Sequence, residues 1–264
     1  MRKLLALLMA LGLIAAACGG SDSDGDETSD TTATETDSDG EEDADADAED
    51  DEQVQVQDVD SDQVGAAGET VVGEPAGDRG PEPSGTLDYA WHTAFSPKWF
   101  DPSLNTSSVS QFVTQYVMHD ALVKSMPDAP FTPSLAAEYT VAEDFTSVNF
   151  VLREGLTFHD GSALTTEDVK FSFENYSGTG KATFDAFLKE VEIIDDLSIT
   201  FHFNEPFLDF MLLYGSTATG AGWIVPSDYY QEVGAEGFLE APIGAGPFMF
   251  VENQDNVKIV YEAF

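Results

Sequence analysis

Val148, Phe150 and Leu152 alternate with Ser147, Asn149 and Val151, so residues Ser147–Leu152 are predicted to form a strand with one buried face. Two further apolar runs, Val191–Ile194 and Ser198–Phe203, bracket Asp195-Asp196-Leu197. This arrangement predicts a tight hairpin in which Ile199, Phe201 and Phe203 face the core and His202 faces solvent. Strands are also predicted at Thr86–Trp91, Pro247–Val251 and Val257–Tyr261, the last two joined by the turn Glu-Asn-Gln-Asp-Asn at 252–256. Helical spacing fits Val109–Val123, Thr166–Tyr176, Thr183–Glu190, Leu208–Tyr214 and Ser227–Val233. Because helices and strands mix without strict alternation, the expected class is α/β with mixed sheets.

One stretch, Phe-His-Asp-Gly at 158–161 followed by Thr-Thr-Glu-Asp at 165–168, carries enough titratable groups to suggest a metal or acid-base site. Local structure accounts for them more simply. Thr165 precedes an apolar period formed by Val169, Phe173 and Tyr176, and Asp168 stands three residues after it, which is a capping-box pattern. Leu164 and Val169 are placed to form a hydrophobic staple across that cap. Glu167 and Asp168 in the first turn favour the positive end of the helix dipole. Asp160-Gly161 is a turn signal, since glycine accepts positive φ.

Charge changes the picture for the N-terminal third. The chain has 264 residues and a formal net charge of -40, and residues 21–80 hold 23 acids, one base and no aromatic residue. Such a stretch cannot offset its ordering entropy by burial, so residues 21–84 are expected to be disordered and to act as an extended, self-repelling tether. The start of an EF-hand-like calcium pattern in Asp-Ser-Asp-Gly-Asp-Glu at 22–27 is not completed. Ahead of this lies a basic start (Arg2, Lys3), an apolar run from Leu4 to Ala17 and small residues before Cys18, the only cysteine in the chain. That is a secretion signal, and its run is shorter than the roughly 18 residues of a spanning helix. Ala15-Ala16-Ala17-Cys18 resembles the lipobox of bacterial lipoproteins, which implies cleavage before Cys18 and a diacylglyceryl group on its sulfur.

Enzyme motifs are few. Gly-Thr-Gly-Lys-Ala-Thr at 178–183 hints at a phosphate loop, but position 175 is Asn and Ala182 follows the lysine. There is no G-x-S-x-G or H-E-x-x-H, and the four histidines, at 92, 119, 159 and 202, are scattered. No catalytic residue, metal site or cofactor is expected.

Longer-range order comes from Pro133–Tyr176. Leu135-Ala136-Ala137-Glu138, Phe150-Val151-Leu152-Arg153-Glu154-Gly155, His159-Asp160-Gly161 and Thr165-Thr166-Glu167-Asp168-Val169 follow one another in an order and spacing that resemble the family 5 extracellular solute-binding proteins, which feed oligopeptide, dipeptide and nickel ABC importers. Ser-Ile-Thr-Phe-His-Phe-Asn-Glu-Pro-Phe at 198–207, Gly-Trp-Ile-Val-Pro at 222–226 and Pro-Ile-Gly-Ala-Gly-Pro-Phe at 242–248 resemble later segments of that family, with Ala245 where Thr is usual.

The resemblance implies a two-lobed, periplasmic-binding-protein-like type II fold. The expected organisation is a lipoprotein signal peptide at 1–17, the lipidated Cys18 with an acidic linker to 84, and the N-terminal part of a solute-binding domain at 85–264. That part holds the first lobe and an inserted subdomain at about 125–240, and the chain is expected to be an N-terminal fragment. The implied role is capture of an extracellular solute, an oligopeptide or dipeptide, for an ABC permease and ATPase. Nickel chelates, opines or sugars, or a structural or adhesive surface role, are the alternatives. Asn105, Thr106, Ser107 and Ser108 match a loop that pairs with ligand backbone in peptide-binding relatives, and Phe184 falls where those relatives place an aromatic against the ligand. The protein is expected to be a monomer at the outer face of the cytoplasmic membrane, and nucleic acid is not an expected partner. Residues 81–264 carry 27 acids against 7 bases, an excess spread along the whole domain that suits a salt-rich habitat better than a cationic substrate.

Overall fold

Val148, Phe150 and Leu152 are all buried on one face of an observed strand, Ser147–Leu152. The computed structural model describes residues 67–74, 84–91, 95–104, 112–126, 129–216 and 219–264. Its strands are β1 (Thr70–Val72), β2 (Val123–Met126), β3 (Ala129–Pro133), β4 (Ala136–Val141), β5 (Ser147–Leu152), β6 (Leu188–Ile193), β7 (Ser198–Phe203), β8 (Phe248–Gln254) and β9 (Lys258–Ala263). The helices are α1 (Phe112–Met118), α2 (Thr166–Asn175), α3 (Lys181–Phe187), α4 (Phe210–Tyr214) and α5 (Ser227–Glu240), with short 3-10 turns at Pro97–Phe100 and Pro102–Leu104. Five strands form one sheet in the order β1-β4-β5-β7-β6, antiparallel at each pairing. β2 with β3, and β8 with β9, form separate two-stranded ladders.

Alternation explains the buried face of the main sheet. Tyr139 of β4, Phe150 of β5 and Phe201 of β7 lie side by side with ring centroids 5.8–5.9 Å apart, and Tyr214 of α4 caps Phe150 and Phe201 at 5.7 and 5.2 Å. α2 lays Phe173 on the same layer, 5.0 Å from Phe201. Each such ring removes enough apolar area from water to contribute about 1.5–3 kcal/mol. A smaller cluster of Val225, Tyr230 and Phe238 holds α5.

The β6–β7 hairpin forms as predicted, because Asp195 Oδ1 accepts from the N–H groups of Leu197 and Ser198, both at 2.9 Å. Ile199, Phe201 and Phe203 are buried, while His202 on the other face meets Glu192 Oε2 at 2.9 Å. β8 and β9 also form and run longer than predicted, turning at Asn256 with φ 58.

Several expectations change. Residues 86–91 form no strand, and Leu87 and Tyr89 are exposed: among the described residues no strand pairs with the alternation there. The helix expected at Val109–Val123 ends at Met118, and Val123 opens β2. Asp120 stops it by accepting from the Ala121 N–H at 2.7 Å and the Ser134 hydroxyl at 2.8 Å. The helix expected at Thr183–Glu190 is Lys181–Phe187, and Leu188–Glu190 belong to β6. The helix expected at Ser227–Val233 runs to Glu240, across a kink at Gly234 (φ 70, ψ 173). The acidic stretch expected to be disordered to residue 84 contributes β1, a run of β-branched residues that outweighs the polar composition around it.

Candidate functional site

Asp168 is the hub of the His-Asp-Gly and Thr-Thr-Glu-Asp region. The residue is 6% exposed, and its carboxylate accepts four hydrogen bonds. Oδ2 accepts from the Thr165 N–H at 2.9 Å and the Thr165 hydroxyl at 3.2 Å, while Oδ1 accepts from the Ser227 N–H and hydroxyl, both at 2.8 Å. The predicted backward reach of Asp168 to the N-cap is therefore present, and the same side chain also caps α5. Leu164 and Val169 are buried where a staple places them. One turn further along α2, the Ser172 hydroxyl accepts from the Val225 N–H at 2.9 Å.

His159 holds the other end of this region. Its Nδ1 accepts from the Gly244 N–H at 3.2 Å and its Nε2 faces the Gly246 carbonyl at 3.0 Å. An acceptor at Nδ1 puts the proton on Nε2, so the imidazole is neutral and both nitrogens are spent on backbone. Burial lowers its pKa, against the Gly246 carbonyl and the Asp160 carboxylate, which raise it. Asp160 instead accepts from the N–H and hydroxyl of Ser162 at 2.9 and 2.6 Å. No base is poised against a nucleophile here.

The segment gripped by His159 passes over the end of α1. A Cβ on Gly244 would stand 2.0 Å from the Met118 carbonyl oxygen, and one on Gly246 would stand 2.5 Å from the Met118 carbonyl carbon. The Gly246 N–H donates to that Met118 carbonyl at 2.8 Å. His119 lies beneath, its Nε2 2.8 Å from the Phe100 carbonyl. Burial pushes the His119 pKa down to about 4, with the hydrogen bond to the Phe100 carbonyl opposing the fall.

Phe100 leads into the segment that carries the expected ligand loop. Asp101 is fully buried; Oδ1 accepts from the Ser103 N–H at 2.8 Å and Oδ2 accepts from the Tyr230 hydroxyl at 2.7 Å. Burial raises the Tyr230 pKa, and the Asp101 carboxylate adds to it. Ser177, just past α2, donates its N–H and hydroxyl to the Ser103 carbonyl at 2.9 and 3.1 Å. The stem at Pro102–Leu104 is therefore tied to α2 and α5. Asn105, Thr106, Ser107 and Ser108 themselves lie outside the described residues.

Phe184 is 2% exposed. Its ring meets Phe173, Tyr176, Phe207 and Phe210 with centroids 5.2–6.4 Å away. The structure therefore does not bring Phe184 to an open surface; it backs the Tyr176–Ser177 corner that holds Ser103. Cys18 also lies outside the described residues. Sequence reasoning missed Asp101, Tyr230 and Ser227. The Asp101-Pro102 dipeptide is a turn signal, and Ser227 follows a proline at a helix start, but nothing local pairs residues 129 positions apart.

Among the described residues no group of three or more His, Cys, Asp or Glu side chains is placed to hold a metal ion, and no helix is long and apolar enough to cross a membrane. An open groove of about 460 Å³ is lined by Pro97, Leu239, Phe250 and Val251 with Glu240, Glu252 and Asp255 among its other walls.

The buried carboxylates and imidazoles of this region are spent on hydrogen bonds that fix loops and helix ends. The family model described as bacterial extracellular solute-binding proteins, family 5 Middle, matches residues 130–264. The chain belongs to that family, and its α/β fold is of the periplasmic-binding-protein-like type II class. It is similar to heme-binding protein A of Haemophilus influenzae, 27% identical over 198 residues, covering 66% of this chain and 36% of the relative. The dipeptide-binding protein of Escherichia coli is 27% identical over 195 residues, covering 64% of this chain and 36% of the relative. Among solved structures, the ABC transporter-associated periplasmic binding protein DppA from Helicobacter pylori in complex with peptide STSA superposes with a TM-score of 0.54 at 25% identity, covering 62% of this chain and 36% of that one. The chain thus spans about a third of the length of these relatives.

Proposed function

We propose that this chain supplies part of the substrate-binding component of an ABC importer and that its solute is a dipeptide or oligopeptide. The observation that carries this reading is the anchored stem at Asp101–Leu104. A loop meant to hydrogen-bond an extended solute needs a rigid base, and here α5 through Tyr230 and the end of α2 through Ser177 fix that base at Asp101 and Ser103. In this reading Asn105, Thr106, Ser107 and Ser108 bond the solute backbone, and Phe184 positions the corner behind them. Relatives named for dipeptide binding and a neighbour solved with a peptide support the solute class.

The protein is exported and held by a lipid on Cys18 at the outer face of the cytoplasmic membrane, works as a monomer, and hands its solute to a permease and ATPase. Two acyl chains, at about 0.8 kcal/mol per buried methylene, suffice for stable anchoring. It catalyses no reaction.

The test uses the purified full chain and a thermal-shift screen of dipeptides and tetrapeptides beside nickel-histidine, agropinic acid and heme. A peptide that raises Tm at micromolar concentration, with the rise lost in Asn105→Ala/Ser107→Ala, is the expected result. A shift with another solute class and none with peptides overturns the peptide assignment. Labelling with a palmitate analogue, present in the parent and absent in Cys18→Ser, tests the anchor.

A further inference from the structure

Gly-Glu-Thr-Val-Val-Gly at 68–73 places three β-branched residues between two glycines, within a stretch whose composition reads as tether. The structure lays it along the outer edge of β4, with Thr70 opposite Thr140, Val71 opposite Tyr139 and Val72 opposite Glu138. The Gly68 N–H donates to the Val141 carbonyl at 2.8 Å and the Gly73 N–H to the Ala137 carbonyl at 2.7 Å. The Thr70 and Thr140 hydroxyls meet at 2.7 Å, and Val71 packs against the main core.

Both glycines have reasons to be there. Gly68 has φ +86, and a Cβ on Gly73 would stand 2.7 Å from Arg153 Nη2 and 2.8 Å from Pro133 Cβ. Arg153 closes the arrangement from the body: its Nε donates to the Ser134 carbonyl at 2.7 Å and its Nη2 to the Glu74 carbonyl at 2.9 Å. Without the segment, β4 would be an open edge offering the Ala137 and Val141 carbonyls, and an open edge is a template for strand addition. A second β4 is the matching strand. Antiparallel pairing centred on Tyr139 sets Ala137 opposite Val141 of the second copy and Glu138 opposite Thr140, so no like charges meet, and the arrangement closes with two-fold symmetry.

We propose that Gly68–Glu74 is a strap, an intramolecular strand addition pinned by Arg153, that occupies the β4 edge and keeps a second copy of this chain from pairing there.

The test is made on the full chain in a Cys18→Ser background. Val71→Pro/Gly73→Pro removes two strap N–H groups, and Thr70→Cys/Thr140→Cys locks the strap when oxidised. Sedimentation velocity over a hundredfold concentration range and hydrogen exchange at the Gly68 amide are read together. The expected result is a monomeric parent and a monomeric oxidised lock. The proline variant associates with rising concentration and exchanges at Gly68 at least tenfold faster. A proline variant that loses Gly68 protection and stays monomeric overturns the proposal, as does an unprotected Gly68 in the parent or one that stays protected in the proline variant. Should the proline variant fail to fold, the lock decides in mild urea. Association of the reduced form alone supports the strap, and equal behaviour of reduced and oxidised forms overturns it.

Discussion

Asp168 and Ser227, 59 residues apart, join the first turns of α2 and α5 through one carboxylate oxygen that accepts both the N–H and the hydroxyl of Ser227 at 2.8 Å. With Oδ2 serving Thr165, the carboxylate satisfies donors at two helix starts that would otherwise be buried and unpaired. This makes Asp168 the most demanding position of the motif. Hydrogen bonds to a charged acceptor contribute about 1.5–3 kcal/mol each, and removing the acceptor leaves its donors orphaned. Asp168→Ala is expected to cost at least about 3 kcal/mol in urea unfolding. Glu167→Ala, at the exposed neighbouring position, is expected to stay within about 0.5 kcal/mol of the parent.

Acid weakens the fold through His119. Its pKa is about 4 when folded and about 6.5 when unfolded, so between those values the unfolded chain binds more protons and stability rises with pH. The full contribution is present above about pH 6.5 and is lost as pH falls toward 4, amounting to about 3 kcal/mol at the acid end. His159, also lowered by burial, acts in the same direction. Urea midpoints at pH 7.5 and pH 5 are expected to show the loss, and His119→Gln is expected to flatten the slope. An unchanged slope in that variant would place the titration elsewhere.

Two glycines of the 242–246 segment are fixed by space and one glycine of the His-Asp-Gly turn only by conformation. A Cβ at Gly244 meets the Met118 carbonyl at 2.0 Å, a contact that no rotamer relieves. Gly161 has φ +84 with open space around its Cβ position. Gly161→Ala is therefore expected to cost about 1–2 kcal/mol, the left-handed penalty alone. Gly244→Ala is expected to displace the whole segment and release the Gly246 amide to exchange. Equal losses for the two variants would contradict this division.

Phe184 and Asn105 separate the observed core from the proposed site. Phe184→Ala empties a position ringed by aromatic side chains and is expected to cost about 3–5 kcal/mol, measured by denaturant unfolding. Asn105→Ala is expected to leave stability within about 0.5 kcal/mol and to weaken peptide affinity instead. If Phe184→Ala kept the parent's stability and lost only affinity, the ring would belong to the site after all.

Much of the architecture is written in local pattern. Period-2 alternation located β5 and β7 to the residue, and Asp195-Asp196-Leu197 announced the hairpin of β7 with β6, although the first half of β6 read as helix; these signals depend on neighbours within five positions. Where tertiary partners decide, the sequence misled. Leu87 and Tyr89 alternate as a strand does, yet among the described residues no strand pairs with them. Thr70–Val72 looked like tether because the surrounding acids dominate any window, while the edge that orders it is formed 66 residues later. The framework of the candidate site was half legible. Thr165 and Asp168 announced a cap, but the bond to Ser227 and the Asp101–Tyr230 pair join segments that only the folded chain brings together.

Salt is the condition most strongly set by composition. Residues 81–264 carry 27 acids against 7 bases, and among the described residues few of the acids have a cation within reach. The ion pairs observed are short-range and mostly exposed, such as Lys170 with Glu174 and Lys258 with Glu252, so each offsets little of the net repulsion. Folding brings these like charges closer than the unfolded chain does, and mobile ions screen them over about 10 Å at 0.1 M and about 3 Å at 1 M. Stability is expected to climb as sodium chloride is raised from 0.05 to about 1 M, with most of the gain at the low end where the screening length changes fastest. Replacing the exposed Glu205 and Glu236 by Gln is expected to raise the low-salt midpoint and reduce the salt dependence. A urea midpoint that does not move with salt would mean the acids are neutralised by contacts within the fold, and the case for a salt-rich habitat would fall with it.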